Sequence, residues 1–292
     1  MRPGDSNQIT RDYFDSLLIE LRHFDAVLPD TSLELFGERF ATPVMTAALS
    51  HMDKYHENGM AEIAKGAVAA NAVMWAGMGS DEELKRITDT GAKTIKIIKP
   101  DRDNDIILHN IAHAEKCGCI AVGIDLDHAY NWKGEYDVVE GEHMSGKTSE
   151  EIASFVKATK LPFIIKGVLS TQDAIKCVRV GVKGIVVSHH HGIIDFAVPP
   201  LMILPDIVNV VDGQMKIFVD CSVESGMDVF KCIALGAHAA SVGRAIMKPL
   251  EKDGAAGVEA TIRWMTEQVA AAMARTCSHN LADIEASLIW KK

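Results

Sequence analysis

Eight short runs rich in β-branched and other apolar residues recur between residues 43 and 243, with helical patterns in the intervals. They lie at 43–49 (PVMTAAL), 71–77 (NAVMWAG), 94–98 (TIKII), 121–127 (AVGIDLD), 163–167 (FIIKG), 184–190 (GIVVSHH), 216–222 (KIFVDCS) and 239–243 (AASVG). Parallel strands need a crossover of a dozen or more residues, usually a helix. Strands buried on both faces read as unbroken apolar runs. Eight such strands alternating with helices predict an α/β protein with a (β/α)8 TIM barrel. A doubly wound open sheet is the competing architecture. Its glycine fingerprint belongs after the first strand, where this chain reads Ser50-His-Met-Asp-Lys-Tyr-His-Glu-Asn-Gly59.

Capping signals set the helices between these strands. Ser80-Asp-Glu-Glu83 places an N-cap before acids that suit the helix dipole, and Thr148-Ser-Glu-Glu151 has the spacing of a capping box. Helices are also expected over 59–70, 103–116, 170–180, 228–235 and about 255–275. Residues 1–40 form a poorly patterned lead-in, with a helix expected near Thr10 to Arg22 and a strand at Leu33 to Phe36. No Pro/Gly/Ser-rich linker divides the rest, so 41–292 is read as one barrel domain ending in a C-terminal helix. The loop from about His128 to Lys147, with Tyr130, Trp132, Tyr136 and His143, is long enough for a lid or binding loop.

Net charge and cysteine use narrow the setting. The formal charge is -10, without a basic block or interleaved aromatics, which argues against a nucleic-acid partner. No apolar run reaches the length of a membrane span, and the N-terminus has no apolar signal core. The six cysteines fall mostly within predicted elements, as reduced residues of a cytoplasmic protein do.

In a barrel the active site gathers at the C-terminal strand ends. Those ends carry Ala47 and Ala48, Gly77, Lys96, Asp125 and Asp127, Lys166, Ser188 and His190, Asp220, and Gly243 with Arg244. An uncompensated lysine closing a buried strand is costly. Lys166 therefore calls for an anion, a negative cofactor or a covalent role, or else for Asp125 or Asp127 across the barrel. Of the three consecutive histidines, strand alternation puts His189 and His191 on one face and His190 on the other. His190 is the candidate general base, because imidazole titrates nearest neutrality. Ser222 and Gly243-Arg244 make a candidate phosphate cradle of backbone N–H groups and a cation.

Residues 33 to about 265 resemble the FMN-dependent α-hydroxy-acid oxidase/dehydrogenase family, of the glycolate and lactate oxidase type. The matching stretches are Thr42-Pro43-Val44-Met45 with Ala47-Ala48, Leu161 to Gly167, Gly181 to Ser188, Val198-Pro199, Phe218-Val-Asp220, Asp228 to Ala237 and Val242-Gly243-Arg244. The resemblance implies an FMN-binding barrel, a homo-oligomer (tetramer or octamer) and a small-molecule substrate oxidised at a CH–OH group. It implies that Lys166 steadies reduced flavin and that His190 removes the substrate proton. It also implies a flavin and phosphate site drawn from Ala47, Ala48, Gly77, Lys96, Asp125, Lys166, Ser188, Asp220, Ser222, Gly243 and Arg244. The chain departs from the pattern in places. The arginine that clamps the substrate carboxylate falls on Ile193, the strand-3 glutamine on Lys96, the strand-4 threonine on Asp125, and a phosphate-side arginine on Glu224. A substrate without the usual carboxylate clamp is therefore expected. Two other readings keep the barrel: a metal- or flavin-dependent lyase or isomerase without net redox change, and a degenerate subunit of an assembly.

Overall fold

A computed structural model describes residues 3–292. All eight expected strands are present: β1 (Val44–Thr46), β2 (Met74–Ala76), β3 (Thr94–Ile98), β4 (Ala121–Asp125), β5 (Phe163–Val168), β6 (Gly184–Val187), β7 (Lys216–Val219) and β8 (Ala239–Val242). They form one parallel sheet in which each strand pairs with its sequence neighbour, and β8 returns to β1 through Ala240↔Val44 to Val242↔Thr46. The ring closes between β1 and β2. There Thr46 N–H donates to Val73 O at 3.2 Å, and Gly77 N–H donates to Leu49 O at 2.9 Å. The chain is a (β/α)8 barrel.

Eight helices follow the strands: α2 (Gly59–Ala69), α3 (Asp81–Asp89), α4 (Asn104–Lys116), α5 (Ser149–Lys157), α6 (Thr171–Val180), α7 (Pro200–Val211), α8 (Gly226–Ala234) and α9 (Arg244–Arg275). The starts of α3 and α5 are capped as the sequence implies. Ser80 accepts from Glu83 N–H, and Thr148 and Glu151 bond reciprocally. The capping signals do not announce α7, because Pro205 inside an apolar run reads as a helix breaker. The last helix begins earlier than expected, at Arg244, and breaks at Gly254, where φ is +57°.

Two apolar compartments follow from strand alternation. Inward side chains, including Met45, Trp75, Ile95, Ile97, Ile164, Val186 and Phe218, fill the barrel interior. Trp75 and Phe218 meet edge to face, with ring centroids 5.4 Å apart. A hairpin of Leu33–Leu35 with Glu38–Phe40 adds Leu33, Leu35 and Phe40 to this compartment, on the side away from the strand C-termini. Outward side chains pack beneath the helices.

The lead-in has a structural role that its weak pattern hides. Its helix, α1, covers Ser6–Ser16 rather than the expected Thr10 to Arg22, and Asp5 caps it. The next residues, Leu17–Ile19, pair antiparallel with Ile289–Lys291. α1 bonds to the loops after β6 and β7, so it stands at the same end of the barrel as the strand C-termini.

The interior gives a direct test. Phe218 is fully buried. Phe218→Ala should lower unfolding free energy by about 3–5 kcal/mol, read from urea denaturation followed by circular dichroism; a loss under ~1 kcal/mol would contradict this packing.

Candidate functional site

The strand C-termini surround a cavity of about 390 Å³ lined by Ala47, Ala48, Lys166, His190, His191, Asp220, Ser222, Gly243 and Arg244, among others. The sequence reading thus brought together eight of its named residues: Ala47, Ala48, Lys166, His190, Asp220, Ser222, Gly243 and Arg244. Asp125 and Ser188 lie just behind the cavity wall. Asp125 bonds to Lys166, and Ser188 Oγ accepts from His190 N–H at 3.0 Å.

Lys166 is buried at the end of β5. Its ammonium lies 3.3 Å from Asp125 Oδ1, 3.8 Å from Asp220 Oδ2, 3.9 Å from Asp127 Oδ2 and 3.2 Å from His190 Nδ1. The expected pairing is present, but between neighbouring strands rather than across the barrel, since Lys166 and Asp125 are register partners on β5 and β4. Burial alone would lower the lysine's affinity for its proton, but Asp125, Asp127 and Asp220 outweigh it and fix the ammonium as charged. Burial would likewise raise the Asp125 carboxyl. Lys166, His190 and Lys99 reverse this and hold it well below the usual carboxylate range. The Lys99 ammonium sits 2.8 Å from Asp125 Oδ2.

Lys99 corrects one expectation. Lys96 was placed at the mouth, but its strand neighbours Ile95 and Ile97 point into the barrel interior, so Lys96 points the opposite way. It donates to Gly77 O and lines a separate, smaller pocket outside the main cavity, together with Lys99 and Asp101. Gly77 likewise does not line the main cavity; it takes part in closing the barrel. Lys99, just past the end of β3, is the lysine that reaches Asp125.

The histidines require a second correction. β6 ends at Val187, so strand alternation does not reach them. His190 and His191 both adopt left-handed backbone, with φ of +47° and +57°, and both line the cavity. His189 is the buried one. Its Nε2 lies 2.8 Å from Thr10 Oγ1, and its Nδ1 accepts from Gly192 N–H. Burial keeps its imidazole below its ordinary value. His191 Nδ1 lies 2.9 Å from Asn7 Oδ1, and Arg11 donates to Ser222 O and to both oxygens of Asp228. The α1 residues Asn7, Thr10 and Arg11 therefore brace the loops after β6 and β7 and the start of α8. An i, i+3, i+4 polar stripe at 7, 10 and 11 is the signal that could have found them.

His190 Nδ1 is 2.6 Å from Asp127 Oδ1 and 3.4 Å from Asp125 Oδ1. Burial pushes this imidazole down, but its hydrogen bonds to Asp125 and Asp127 outweigh that and raise it to about 9. Ligand atoms of Asp125, Asp127 and His190 lie within 4.8 Å of one another. The positive charge among them is already the Lys166 ammonium, and we assign no metal ligands here.

The cavity fits FMN by its donors. One buried ammonium can face a ring that gains negative charge. The Arg244 guanidinium and the N-terminus of α9 suit a phosphate. A Cβ on Gly243 would approach Ala47 Cβ to 3.4 Å, so small side chains keep this wall open.

The comparisons agree with this geometry. The profile of the FMN-dependent dehydrogenase family matches residues 4–149 and 139–291. The chain belongs to the FMN-dependent dehydrogenase family. It is 30% identical to 4-hydroxymandelate oxidase of Amycolatopsis orientalis, over 83% of this chain and 78% of that protein. It is 25% identical to an L-lactate oxidase of Roseobacter sp. (strain GAI101), over 89% of this chain and 79% of that one. Mandelate oxidase solved with 3,3-difluoro-2-hydroxy-3-phenylpropionic acid superposes with a TM-score of 0.89 at 28% identity, covering 99% of this chain and 90% of that one. A mandelate oxidase mutant with a monooxide FMN adduct gives 0.88 at 28% identity, covering 99% and 92%. This family member is an FMN-dependent oxidoreductase acting on CH–OH donors, with a small-molecule substrate. No helix among the described residues is long and apolar enough to cross a membrane.

The ion network predicts a pH-dependent loss. Lys166→Met leaves Asp125, Asp127 and Asp220 without their shared cation. Breaking a buried pair costs about 3–5 kcal/mol. Unfolding free energy at pH 7 should fall by about that much, and the deficit should shrink toward pH 5 as carboxyls protonate. An equal loss at both pH values would argue against the network.

Proposed function

We propose that this FMN-dependent oxidoreductase oxidises a secondary alcohol or 2-hydroxy compound whose recognition does not rest on an arginine–carboxylate fork. The observation that carries the reading is one cavity that presents Lys166 and His190 together, with Ile193 where the family resemblance expects the clamping arginine. Ile193 follows the histidine turn, is 37% exposed, and donates its N–H to His189 O.

The residues divide the work as follows. His190 takes the hydroxyl proton on Nε2, since Nδ1 faces the carboxylates. Lys166 holds negative charge close to the reacting ring. Ala47, Ala48, Asp220, Ser222, Gly243 and Arg244 bind and orient FMN, with Arg244 toward its phosphate; Asp125 and Ser188 support Lys166 and His190 from behind. FMN, when bound, supplies a two-electron acceptor for the C–H electron pair. Lys99 adds a second cation behind Asp125, as a point charge already paired with that carboxylate. The reading carries with it a cytoplasmic homo-oligomer, tetramer or octamer. Six free thiols suit a reducing compartment.

Purified protein should be yellow, and anaerobic addition of the right hydroxy compound should bleach the flavin bands. Colourless protein that does not take up added FMN would end this proposal. His190→Gln should retain FMN while slowing bleaching by roughly 10²–10⁴-fold. Restoring the fork tests the substrate class. A charge-assisted contact of about 1.5–3 kcal/mol corresponds to a roughly 10- to 150-fold gain. Ile193→Arg should lower KM for 2-hydroxycarboxylates by that factor and leave their amides unimproved.

A further inference from the structure

Three carboxylates surround the Lys166 ammonium, and they are not equivalent. Asp127, in the short turn Leu126–Ala129, lies 3.9 Å from Lys166 Nζ but 2.6 Å from His190 Nδ1. Gly167, with φ of +90°, leaves it room, since a Cβ there would come within 2.5 Å of Asp127 Cγ. Asp220 lies 3.8 Å from Lys166 Nζ and accepts from Cys221 Sγ at 3.0 Å. Asp125 is the nearest of the three, and its Oδ1 accepts a hydrogen bond from the ammonium at 3.3 Å.

Asp125 has lysines on both sides. Lys99 Nζ lies 2.8 Å from its other oxygen, so Lys99, Asp125 and Lys166 form a row of alternating charge that ends at the cofactor cavity. Asp125 is 3% exposed and does not line that cavity. It therefore acts on a bound molecule through Lys166 and through its own charge, not by contact. The two lysines and His190 keep it ionised despite its burial. A threonine, which the family resemblance expects at position 125, would carry no charge, so the row is a property of this chain.

A flavin ring gains negative charge when it is reduced. A cation beside the ring therefore favours the reduced form, and an anion near it favours the oxidised one. Charges this deeply buried are poorly screened by solvent or salt. The ratio of affinities for the two forms is a coupling free energy, and it appears as a shift of the cofactor's midpoint potential. We propose that Asp125 lowers the potential of the bound FMN: paired with Lys166, it offsets part of the positive charge that the ammonium presents to the ring. This rests on the proposed function, in which Lys166 faces the flavin. The substrate still gives its hydroxyl proton to His190 and its C–H electron pair to FMN. What changes is the driving force, because Asp125 makes the reduced cofactor the stronger reductant. Lys99 acts in the opposite sense, by taking up part of the Asp125 charge.

Asp125→Asn, Asp125→Glu and Lys99→Met, each loaded with FMN and compared with the parent, test this. The midpoint is read by anaerobic titration against reference dyes, and the Kd of oxidised FMN by fluorescence quenching; neither depends on turnover. Asp125→Asn should favour reduced over oxidised FMN by at least tenfold, which raises the midpoint by about 30 mV for a two-electron couple. Asp125→Glu should return most of the shift. Lys99→Met, which leaves Asp125 its whole charge, should lower the midpoint. A merely structural role would weaken both redox forms of FMN alike and leave the midpoint where it was. A midpoint that stays or falls in Asp125→Asn overturns the inference. If Asp125→Asn holds no FMN, Lys99→Met decides, and an unmoved midpoint there overturns it equally. A parent that takes up no FMN ends the proposed function and this inference with it, whereas a yellow parent with unmoved variants ends this inference alone.

Discussion

One buried ammonium organises the mouth of this barrel. Lys166 brings a full positive charge to the end of a strand with almost no contact with water, and it is tolerated because Asp125, Asp127 and Asp220 converge on it from two neighbouring parts of the ring. Burying any of these four groups without the others would be costly. Each therefore constrains the rest: β4 and the turn after it, β5 and the end of β7 must keep their register for the charges to balance. The same balance sets the chemistry. With Lys99 counted, two ammonium groups face three carboxylates, so a proton on His190 brings the cluster to neutrality. A base that becomes charged during reaction is thus placed where its charge is wanted.

The other half of the site is held from an unexpected direction. α1 reaches across to His189, His191 and the Ser222 loop through Thr10, Asn7 and Arg11. The loops after β6 and β7 hold backbone that favours glycine, with positive φ at His190, His191, Cys221 and Ser222. Strain of this kind persists only where surrounding contacts over-determine it, and α1 supplies several of those contacts. Here Cys221 and Ser222 take the same left-handed conformation with side chains, and Ser222 Oγ accepts from Arg244.

The barrel was legible in the sequence because its strands are doubly buried, and a doubly buried strand leaves an unbroken apolar run that no polar face interrupts. Lys166 was legible for the same reason: a charge at the end of such a run has to be explained. The failures have a common physical origin. Strand alternation does not hold beyond the end of β6, which misplaces His191, and inside β3 it turns Lys96 away from the interior that Ile95 and Ile97 face. Asp127 could be named as a partner for Lys166, but its closer bond to His190 depends on a turn and on Gly167 of another strand, and neither is local in sequence. A helix near α1 was expected, but its role in the site was not, because that role lies in polar contacts to residues about 180 to 217 positions away.

Those distances bear on how the protein is made. Residues 5–16 precede their partners at 189–191, 222 and 228 by most of the circuit of the barrel, and Leu17–Ile19 waits for Ile289–Lys291. Contacts of such long sequence separation are slow to form. The nascent chain can assemble strands in order as they emerge, but α1 finds its partners only once the loops after β6 and β7 have been made. Cofactor affinity should then be acquired in a single step, when those loops meet α1, rather than gathered strand by strand.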